Sequence, residues 1–556
     1  MMKYPDSGPA TDLDCLLIFV PKFKNFYRPI GEHMFTVLLP MGLIAMADLI
    51  HKKGYKVQIL HLGLEKINNP NFSLGNYLAK ANPKIAGFSL HWHYQSHDTI
   101  EAAREVKLFN PNIFTVLGGL TAGYFHKEII GEFDFIDAVI KGDGELPFLK
   151  LLEDVRAGKN NFSEIPNLTW RFEGGVKTND ITYVAGDEDL DKLNFTNFKL
   201  LKNYELYLKM QDMRGGRWSK GIIAKIFSKF GLPAYFPLLI SKGCLVSCSY
   251  CGGARLSQLA TCGRQNVSVR SIPKVIESIS EARDYGFKEI YISYLPFNDH
   301  PNYFEELFEN IKLKDIRMNY FLECWALPPE SVINAFNRLR SDNFKLHIGI
   351  SPDTGSENIR RLNKGFYYSN DELTERLELI GSLNIPVLLY FSFGMPFETP
   401  EDIKSTLHFQ DDLRKRFKNI ISISTSIPAL EPASPMFLDP EKYSIVKARN
   451  SFKDFIQSSG DMNKEGFLTP KLGYFMRDFC KPYRRLSDEE SFRRNLQGTI
   501  CGSSCRIAEF LFPGFLKLDS SLIKKSVFFC SRLICNTVSS FWKICYREQG
   551  LKGRFL

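Results

Sequence analysis

The chain has 556 residues, of which 44% are hydrophobic and 24% charged, with a formal net charge of +9. These proportions exclude a disordered or fibrous chain, and the length predicts three or four folded units at about 150 residues each. The first 14 residues lack the apolar core of a secretion signal, so we expect a cytoplasmic protein whose 12 cysteines serve metal or redox chemistry.

Residues 1–160 alternate strand-length apolar runs with helical patterns, which predicts a doubly wound, Rossmann-like α/β domain. The predicted strands are 15–20, 57–60, 85–90, 113–117 and 135–140. In such sheets ligands bind in the loops after the carboxyl ends of the strands. The candidate contacts in these loops are Pro40, Gly42, Ser89, Gly118, Gly119, Gly142, Gly144 and Glu145. Turn formation alone also explains glycines after strands.

Residues 161–234 form a predicted linker. It contains a β-hairpin, in which Leu168–Phe172 is followed by Gly174 and Gly175. Its basic amphipathic segment, residues 217–229, is interpreted as a helix that caps the next domain, and membrane contact is the alternative.

Residues 235–445 alternate again and predict a partial (β/α)6 barrel of the TIM type. Its predicted strands are 238–241, 289–294, 318–322, 346–351, 387–393 and 420–427. The first strand leads into Cys244-Leu-Val-Ser-Cys248-Ser-Tyr-Cys251. Three such thiolates can hold three irons of a four-iron cluster and leave the fourth iron open. Structural zinc is disfavoured because no second cysteine pair follows within about 20 residues.

This C-x3-C-x2-C spacing resembles the defining motif of the radical S-adenosylmethionine (SAM) enzymes. The resemblance implies a [4Fe-4S] cluster on Cys244, Cys248 and Cys251. It also implies that the amino and carboxylate groups of SAM chelate the open iron. An electron from the cluster, supplied by an external donor of the flavodoxin or ferredoxin type, would then cleave SAM to a 5′-deoxyadenosyl radical.

The same resemblance implies SAM contacts from Tyr250, Gly252, Ser351 and Asp353. The last two lie in a segment that departs from the Gly-Ile-Glu-Ser-Gly of many relatives. Ser351 stands where the ribose-binding glutamate is expected, or the acidic group is shifted to Asp353.

The loops of the first domain resemble those of the cobalamin-binding domain in B12-dependent radical SAM enzymes. The shared features are the Pro-x-Gly-Leu that begins at Pro40, the Gly-Gly at 118–119 and the Gly-Asp-Gly-Glu at 142–145. The loop at 21–26 lacks the histidine that other cobalamin domains place on cobalt. His91, His93 and His97 are therefore the remaining candidates for the lower face of the cobalt.

Residues 446–556 predict a mainly helical, basic region. Residues 501–556 hold nine Lys or Arg and three Asp or Glu, a net charge of +6, and apolar residues recur at helical spacing from 523 to 545. Packing against the core is the default interpretation, and contact with an anionic membrane or a lipid substrate is the alternative. Cys480, Cys501 and Cys505 could hold a second cluster, although their spacing is wide.

Together these features predict a cobalamin-dependent radical SAM C-methyltransferase acting on an unactivated carbon of a small-molecule or lipid-like substrate. One alternative is radical ring closure or oxidation without methyl transfer. Another is a cobalamin- or lipid-binding protein with a vestigial barrel. Nucleic acid is disfavoured as a partner, because radical SAM enzymes that modify tRNA carry a second cysteine-bound cluster in their N-terminal domain, whereas residues 1–200 hold only Cys15.

Overall fold

The computed structural model describes residues 11–21, 39–69, 71–211, 235–426, 428–465 and 474–476. The first sheet has seven strands in the order β2-β1-β3-β4-β5-β6-β7. The strands are β1 (Cys15–Phe19), β2 (Val57–His61), β3 (Ile85–Ser89), β4 (Phe114–Gly118), β5 (Ala138–Ile140), β6 (Leu168–Phe172) and β7 (Gly175–Thr178). The first five are mutually parallel and largely buried, because helices cover both faces of the sheet.

The helices of this part are α1 (Met41–Lys52), α2 (Leu62–Asn68), α3 (Leu74–Ala81), α4 (Ser96–Phe109), α5 (Leu120–Tyr124), α6 (His126–Glu132), α7 (Glu145–Arg156), α8 (Asp187–Lys192) and α9 (Tyr204–Gln211). The strand order reverses between β1 and β3, and this switch point opens a crevice at the carboxyl edge of the sheet. The predicted doubly wound fold is therefore confirmed.

The hairpin that we assigned to the linker belongs to the first sheet. β6 pairs antiparallel with β5, and β7 pairs antiparallel with β6. Further along, Phe198 packs against Phe236 and Phe287 of the second domain, with ring centroids 6.2 and 5.2 Å apart. The described part of the segment between the two α/β units therefore packs against both of them. The domain boundaries stay predictions.

The second sheet contains six parallel strands in the order β15-β14-β13-β12-β11-β8. They are β8 (Tyr235–Leu238), β11 (Glu289–Tyr294), β12 (Asn319–Cys324), β13 (Leu346–Asp353), β14 (Val387–Ser392) and β15 (Ile420–Ser426). The intervening helices are α10 (Arg255–Cys262), α11 (Ile272–Asp284), α12 (Tyr303–Leu313), α13 (Glu330–Asn337), α14 (Glu357–Asn363), α15 (Asn370–Ser382) and α16 (Pro400–Arg416). The two edge strands, β8 and β15, do not pair with each other, so the predicted partial barrel is confirmed.

The predicted first barrel strand at 238–241 was displaced by three residues. β8 ends at Leu238, and Ser241 opens β9 (Ser241–Lys242), which pairs antiparallel with β10 (Ser268–Val269). Apolar residues continue through Ile240, so the hydrophobic run did not mark where the parallel pairing stops.

The first part of the C-terminal region docks onto the first domain. α17 (Pro435–Leu438) and β16 (Ile445–Lys447) lead to α18 (Phe452–Glu465), and β17 (Tyr474–Met476) pairs with β16. The rings of Phe452 and Phe455 lie 5.5 and 5.6 Å from the ring of Phe125.

Several predictions concern residues outside the described ranges. These are the basic segment 217–229, most of the loop 21–26, Cys480, Cys501, Cys505 and the apolar face at 523–545. In the part that the structure describes, no helix combines the length and the apolar character needed to cross a membrane.

Candidate functional site

Three cysteines lie on the loop between β9 and α10, at the carboxyl end of the first barrel strand. Cys244, Cys248 and Cys251 are all free and partly accessible. Burial, together with the nearby charges of Cys248 and Cys244, raises the pKa of the Cys251 thiol to about 12. The three sulfurs are therefore close enough to interact electrostatically.

Backbone N–H groups point at each of these sulfurs. The amide of Gly365 donates a hydrogen bond to the Sγ atom of Cys248 over 3.2 Å. Burial raises the pKa of Cys244, and backbone hydrogen bonds from Val246 and Leu245 oppose that rise; Gly253 does the same for Cys251. Because such donors stabilise a thiolate, the loop is arranged for sulfur ligands.

Among the described residues, no group of three or more His, Cys, Asp or Glu side chains is arranged to hold a single metal ion. A structural zinc ion needs its ligands around one centre, whereas a four-iron cluster takes one thiolate on each iron. The three closely spaced thiolates of the C-x3-C-x2-C loop are the feature that favours a cluster.

The cysteine loop is anchored to the barrel through a buried carboxylate. The hydroxyl of Tyr250 donates to Oδ2 of Asp353 over 2.8 Å, and Nζ of Lys364 donates to the same atom over 3.0 Å. Asp353 adopts a φ of 65°, in the left-handed region. Its carboxylate is thus engaged in fixing the position of the loop.

The cysteine loop also meets the last loop of the barrel. A Cβ atom on Gly252 would lie 3.0 Å from Cβ of Glu431 and 3.1 Å from the carbonyl oxygen of Pro432. The carboxylate of Glu431 in turn lies 3.1 Å from Nδ1 of His93, in the loop after β3. Glu431 therefore contacts both the cysteine loop and the first domain.

The carboxyl edge of the first sheet leaves backbone exposed to a ligand. The loops after β3 and β4 are joined by a bond from the amide of Leu90 to the carbonyl of Gly118, 2.8 Å long. Gly119 has a φ of 109°, and a Cβ there would lie 2.7 Å from the carbonyl oxygen of Leu90. By contrast, a Cβ on Gly42 would meet nothing within 4 Å, and one on Gly118 only a carbonyl at 3.9 Å. Open space over these two glycines fits a bound group.

Two family models match the chain in this order. The B12 binding domain matches residues 27–152, and the radical SAM superfamily matches residues 238–409. The chain belongs to the cobalamin-dependent radical SAM enzymes.

Known proteins of this family resemble the chain over most of its length. An uncharacterised methyltransferase of Pyrococcus horikoshii is 22% identical over 410 residues, which are 72% of this chain and 78% of that protein. The hopanoid C-3 methylase of Methylococcus capsulatus is 24% identical over 369 residues, 64% of this chain and 61% of that protein. The radical SAM methyltransferase TsrM of Kitasatospora setae has the same fold, with a TM-score of 0.58 at 17% identity, covering 76% of this chain and 74% of that one.

The cofactors of this radical SAM enzyme are a [4Fe-4S] cluster, SAM and cobalamin. The residues present fit them. The thiols of Cys244, Cys248 and Cys251, with their amide donors, would hold the cluster. Gly42 and Gly118, at the edge of the first sheet, are the residues with room for cobalamin beside them.

The structure brings some predicted contacts together and separates others. Tyr250 and Asp353 bond to each other, and the carbonyl of Ser351 accepts a bond from the hydroxyl of Tyr368 over 2.9 Å. Pro40 precedes α1, and Ser89 ends β3 at the open edge. Whether these residues contact SAM or cobalamin stays a prediction.

The loop after β5 faces the barrel. A Cβ on Gly142 would lie 3.0 Å from Cα of Cys262 in α10, and the carboxylate of Glu145 pairs with Lys242 of β9. Gly144 packs against Met46. This loop therefore links the two domains, and its predicted contact with cobalamin stays a prediction.

The three candidate histidines have different surroundings. His93 is buried and paired with Glu431, while the ring of His97 lies against α18, where a Cβ on Gly460 would be 3.2 Å away. The ring of His91 is exposed and lies 4.7 Å from the ring of Trp92.

Proposed function

We propose that this radical SAM enzyme methylates an unactivated carbon of a small-molecule or lipid-like substrate. The observation that carries the proposal is the junction at Glu431, where the cysteine loop and the loop after β3 meet. A substrate held at this junction would lie between the two cofactor sites. The names of the relatives, which include two methyltransferases and a methylase, support the same reaction class.

The cofactors supply the difficult chemistry when bound: the cluster and SAM provide a carbon radical that removes a hydrogen atom, and cobalamin provides the methyl group. The protein positions the loops that would hold the cofactors. Tyr250, Asp353 and Lys364 hold the cysteine loop against β13, and Glu431 with His93 fixes that loop relative to the first domain. Such placement accounts for much of the rate in reactions between two bound groups.

The partners of the enzyme form a further part of the proposal. A small redox protein of the flavodoxin or ferredoxin type would reduce the cluster. The basic residues 501–556, outside the described ranges, would bring the enzyme to an anionic membrane surface on the cytoplasmic side if its substrate is a lipid.

The products formed from SAM distinguish methylation from the other radical reactions. The enzyme is reconstituted anaerobically with iron, sulfide, cobalamin, SAM and a reductant, then supplied with candidate extracts. Methylation predicts S-adenosylhomocysteine alongside 5′-deoxyadenosine. 5′-Deoxyadenosine without S-adenosylhomocysteine under turnover would favour ring closure or oxidation and exclude methyl transfer.

A further inference from the structure

A carboxyl group projects from the inner face of the barrel sheet. Along β12, Tyr320, Leu322 and Cys324 are buried, whereas Glu323 is on the opposite, partly accessible face. In register, Glu323 lies between Ser293 of β11 and Gly349 of β13. It is therefore on a central strand, inside the open barrel.

Aromatic rings surround this carboxyl group. The hydroxyl of Tyr291 donates a hydrogen bond to Oε2 of Glu323, and the ring of Tyr291 lies 5.4 Å from that of Phe321 and 5.9 Å from that of Tyr235. On the other side, a Cβ on Gly349 would be 3.0 Å from Phe321 and 3.2 Å from Tyr390. Because Gly349 has no side chain, the rings of Phe321 and Tyr390 can lie close together beside the carboxyl group.

In the ranges that the structure describes, no Lys, Arg or His forms an ion pair with Glu323. Desolvation raises the pKa of Glu323 to about 7, since burial among rings disfavours the charged form. A shifted carboxyl group in a recess is typical of ligand sites.

We propose that Glu323 and the rings of Tyr291, Phe321 and Tyr390 bind an organic ammonium group. The carboxylate supplies the opposite charge, and the faces of aromatic rings attract cations. Two molecules can bring such a group, the substrate and SAM. The inference rests on the proposed function, because it names the class of substrate: an amine or quaternary ammonium with an apolar body.

The position of Glu323 favours the substrate as the source. Asp353, which bonds to the cysteine loop, lies beyond a bulge in β13. It is level with Phe391 of β14, three residues past the partner of Gly349, a distance of roughly 10 Å at the rise of a strand. The family resemblance places the amino group of SAM on the open iron, next to that loop. A substrate anchored at Glu323 would extend from there toward the cluster.

Calorimetric titration of the reconstituted holoenzyme with SAM bound tests the site. The probes are benzylammonium and its uncharged analogue benzyl alcohol. We expect benzylammonium to bind about tenfold more tightly, and Glu323→Gln to abolish that preference. Glu289→Gln, on the same face at the start of β11, is the matched control and should keep it. Tyr291→Phe retains the aromatic ring and leaves the carboxylate of Glu323 in place, so it should keep most of the preference for benzylammonium.

The pH dependence gives a second readout. The other titratable groups on this face of the neighbouring strands are Glu289 and Tyr291 of β11, His347 of β13 and Tyr390 of β14. Burial raises the pKa of Tyr390 to about 12. Because burial lowers the pKa of His347, this ring is neutral at about pH 7. Benzylammonium should therefore bind more weakly as Glu323 takes up a proton, from about pH 8 to about pH 6.

Three outcomes would overturn the inference. Equal binding of both probes to the wild type would show that no ammonium site exists. Unchanged selectivity in Glu323→Gln would place the site elsewhere. Loss of SAM affinity in Glu323→Gln, with benzylammonium selectivity intact, would assign the carboxylate to SAM. Absence of S-adenosylhomocysteine in the same wild-type sample would instead refute the proposed methylation, whatever the probes show.

Discussion

The Oε2 atom of Glu431 lies 3.1 Å from the Nδ1 atom of His93, although the two residues are 338 positions apart in the chain. This contact joins the last loop of the barrel to the loop after β3. The same Glu431 lies against Gly252, directly after the cysteine Cys251. One side chain thus connects the cluster loop with the cobalamin-binding domain.

Replacing Glu431 with alanine should uncouple the two cofactors. The cluster ligands remain, so SAM should still be cleaved. The radical and the methyl donor, however, would no longer be held in fixed positions relative to each other. We expect the ratio of S-adenosylhomocysteine to 5′-deoxyadenosine to fall about tenfold or more. Glu441→Ala, an exposed substitution ten positions along the chain, is the control. An unchanged ratio in Glu431→Ala would refute the role of this contact.

Replacing Cys248 with alanine should abolish the cluster. Its thiolate is the proposed ligand of one iron, and a four-iron cluster with two protein ligands is poorly held. Iron content and SAM cleavage should both drop to background. Cys262→Ala removes a buried cysteine outside the motif and should retain both. Iron retained in Cys248→Ala at the wild-type level would contradict the assignment.

Gly365→Ala should weaken the cluster without removing a ligand. A Cβ at this position would overlap the side chain of Val246, so the loop must shift away and the hydrogen bond to the Sγ atom of Cys248 is lost. We expect lower iron retention and a lower reduction potential, because hydrogen bonds to sulfur raise that potential. The matched control is Gly253→Ala, whose Cβ would lie at an ordinary 3.8 Å from Sγ of Cys251. Equal behaviour of the two variants would count against the hydrogen bond.

Asp143 should make the contact between the domains sensitive to acid. Burial raises its pKa, but the charges of Lys242 and Arg264 outweigh burial, and the net effect lowers the pKa. A carboxylate with a lowered pKa contributes stability above its unfolded-state value of about 4 and loses it as the pH falls through the folded-state value.

Asp143→Asn should therefore lose about 3–5 kcal/mol of stability at neutral pH, because it leaves the buried Arg264 without its partner. Its urea midpoint should decline less steeply than that of the wild type from about pH 5 to about pH 2. Asp284→Asn removes an exposed partner of Arg283 and should change stability by less than about 0.5 kcal/mol. Parallel pH profiles for wild type and Asp143→Asn would exclude this account.

The sequence predicted the fold well because strands and helices leave local patterns. The strand predicted at 289–294 is β11 (Glu289–Tyr294), and the strand predicted at 57–60 is β2 (Val57–His61). The cysteine motif is also a local pattern, because its three cysteines lie close together in the chain. Errors arose where apolar runs continue past the paired segment, as at Ile240.

The rest of the site could not be predicted because it depends on contacts between distant segments. Glu431 had no motif of its own; only the structure brings it next to His93 and Gly252. Gly365 is one of 39 glycines, and nothing nearby in the chain indicates its bond to Cys248. Asp143 was part of a predicted cobalamin motif, and its ion pair with Arg264 spans 121 positions.

Turnover with SAM that carries a deuterated methyl group tests most directly whether the enzyme transfers a methyl group. The holoenzyme is incubated anaerobically with reductant and fractionated extract, and S-adenosylhomocysteine, 5′-deoxyadenosine and products are measured by mass spectrometry. Methylation predicts both SAM products in roughly equal amounts and a product that has gained the deuterated methyl group in place of one hydrogen atom. Substrate consumption with 5′-deoxyadenosine but no labelled methyl group in any product would contradict it.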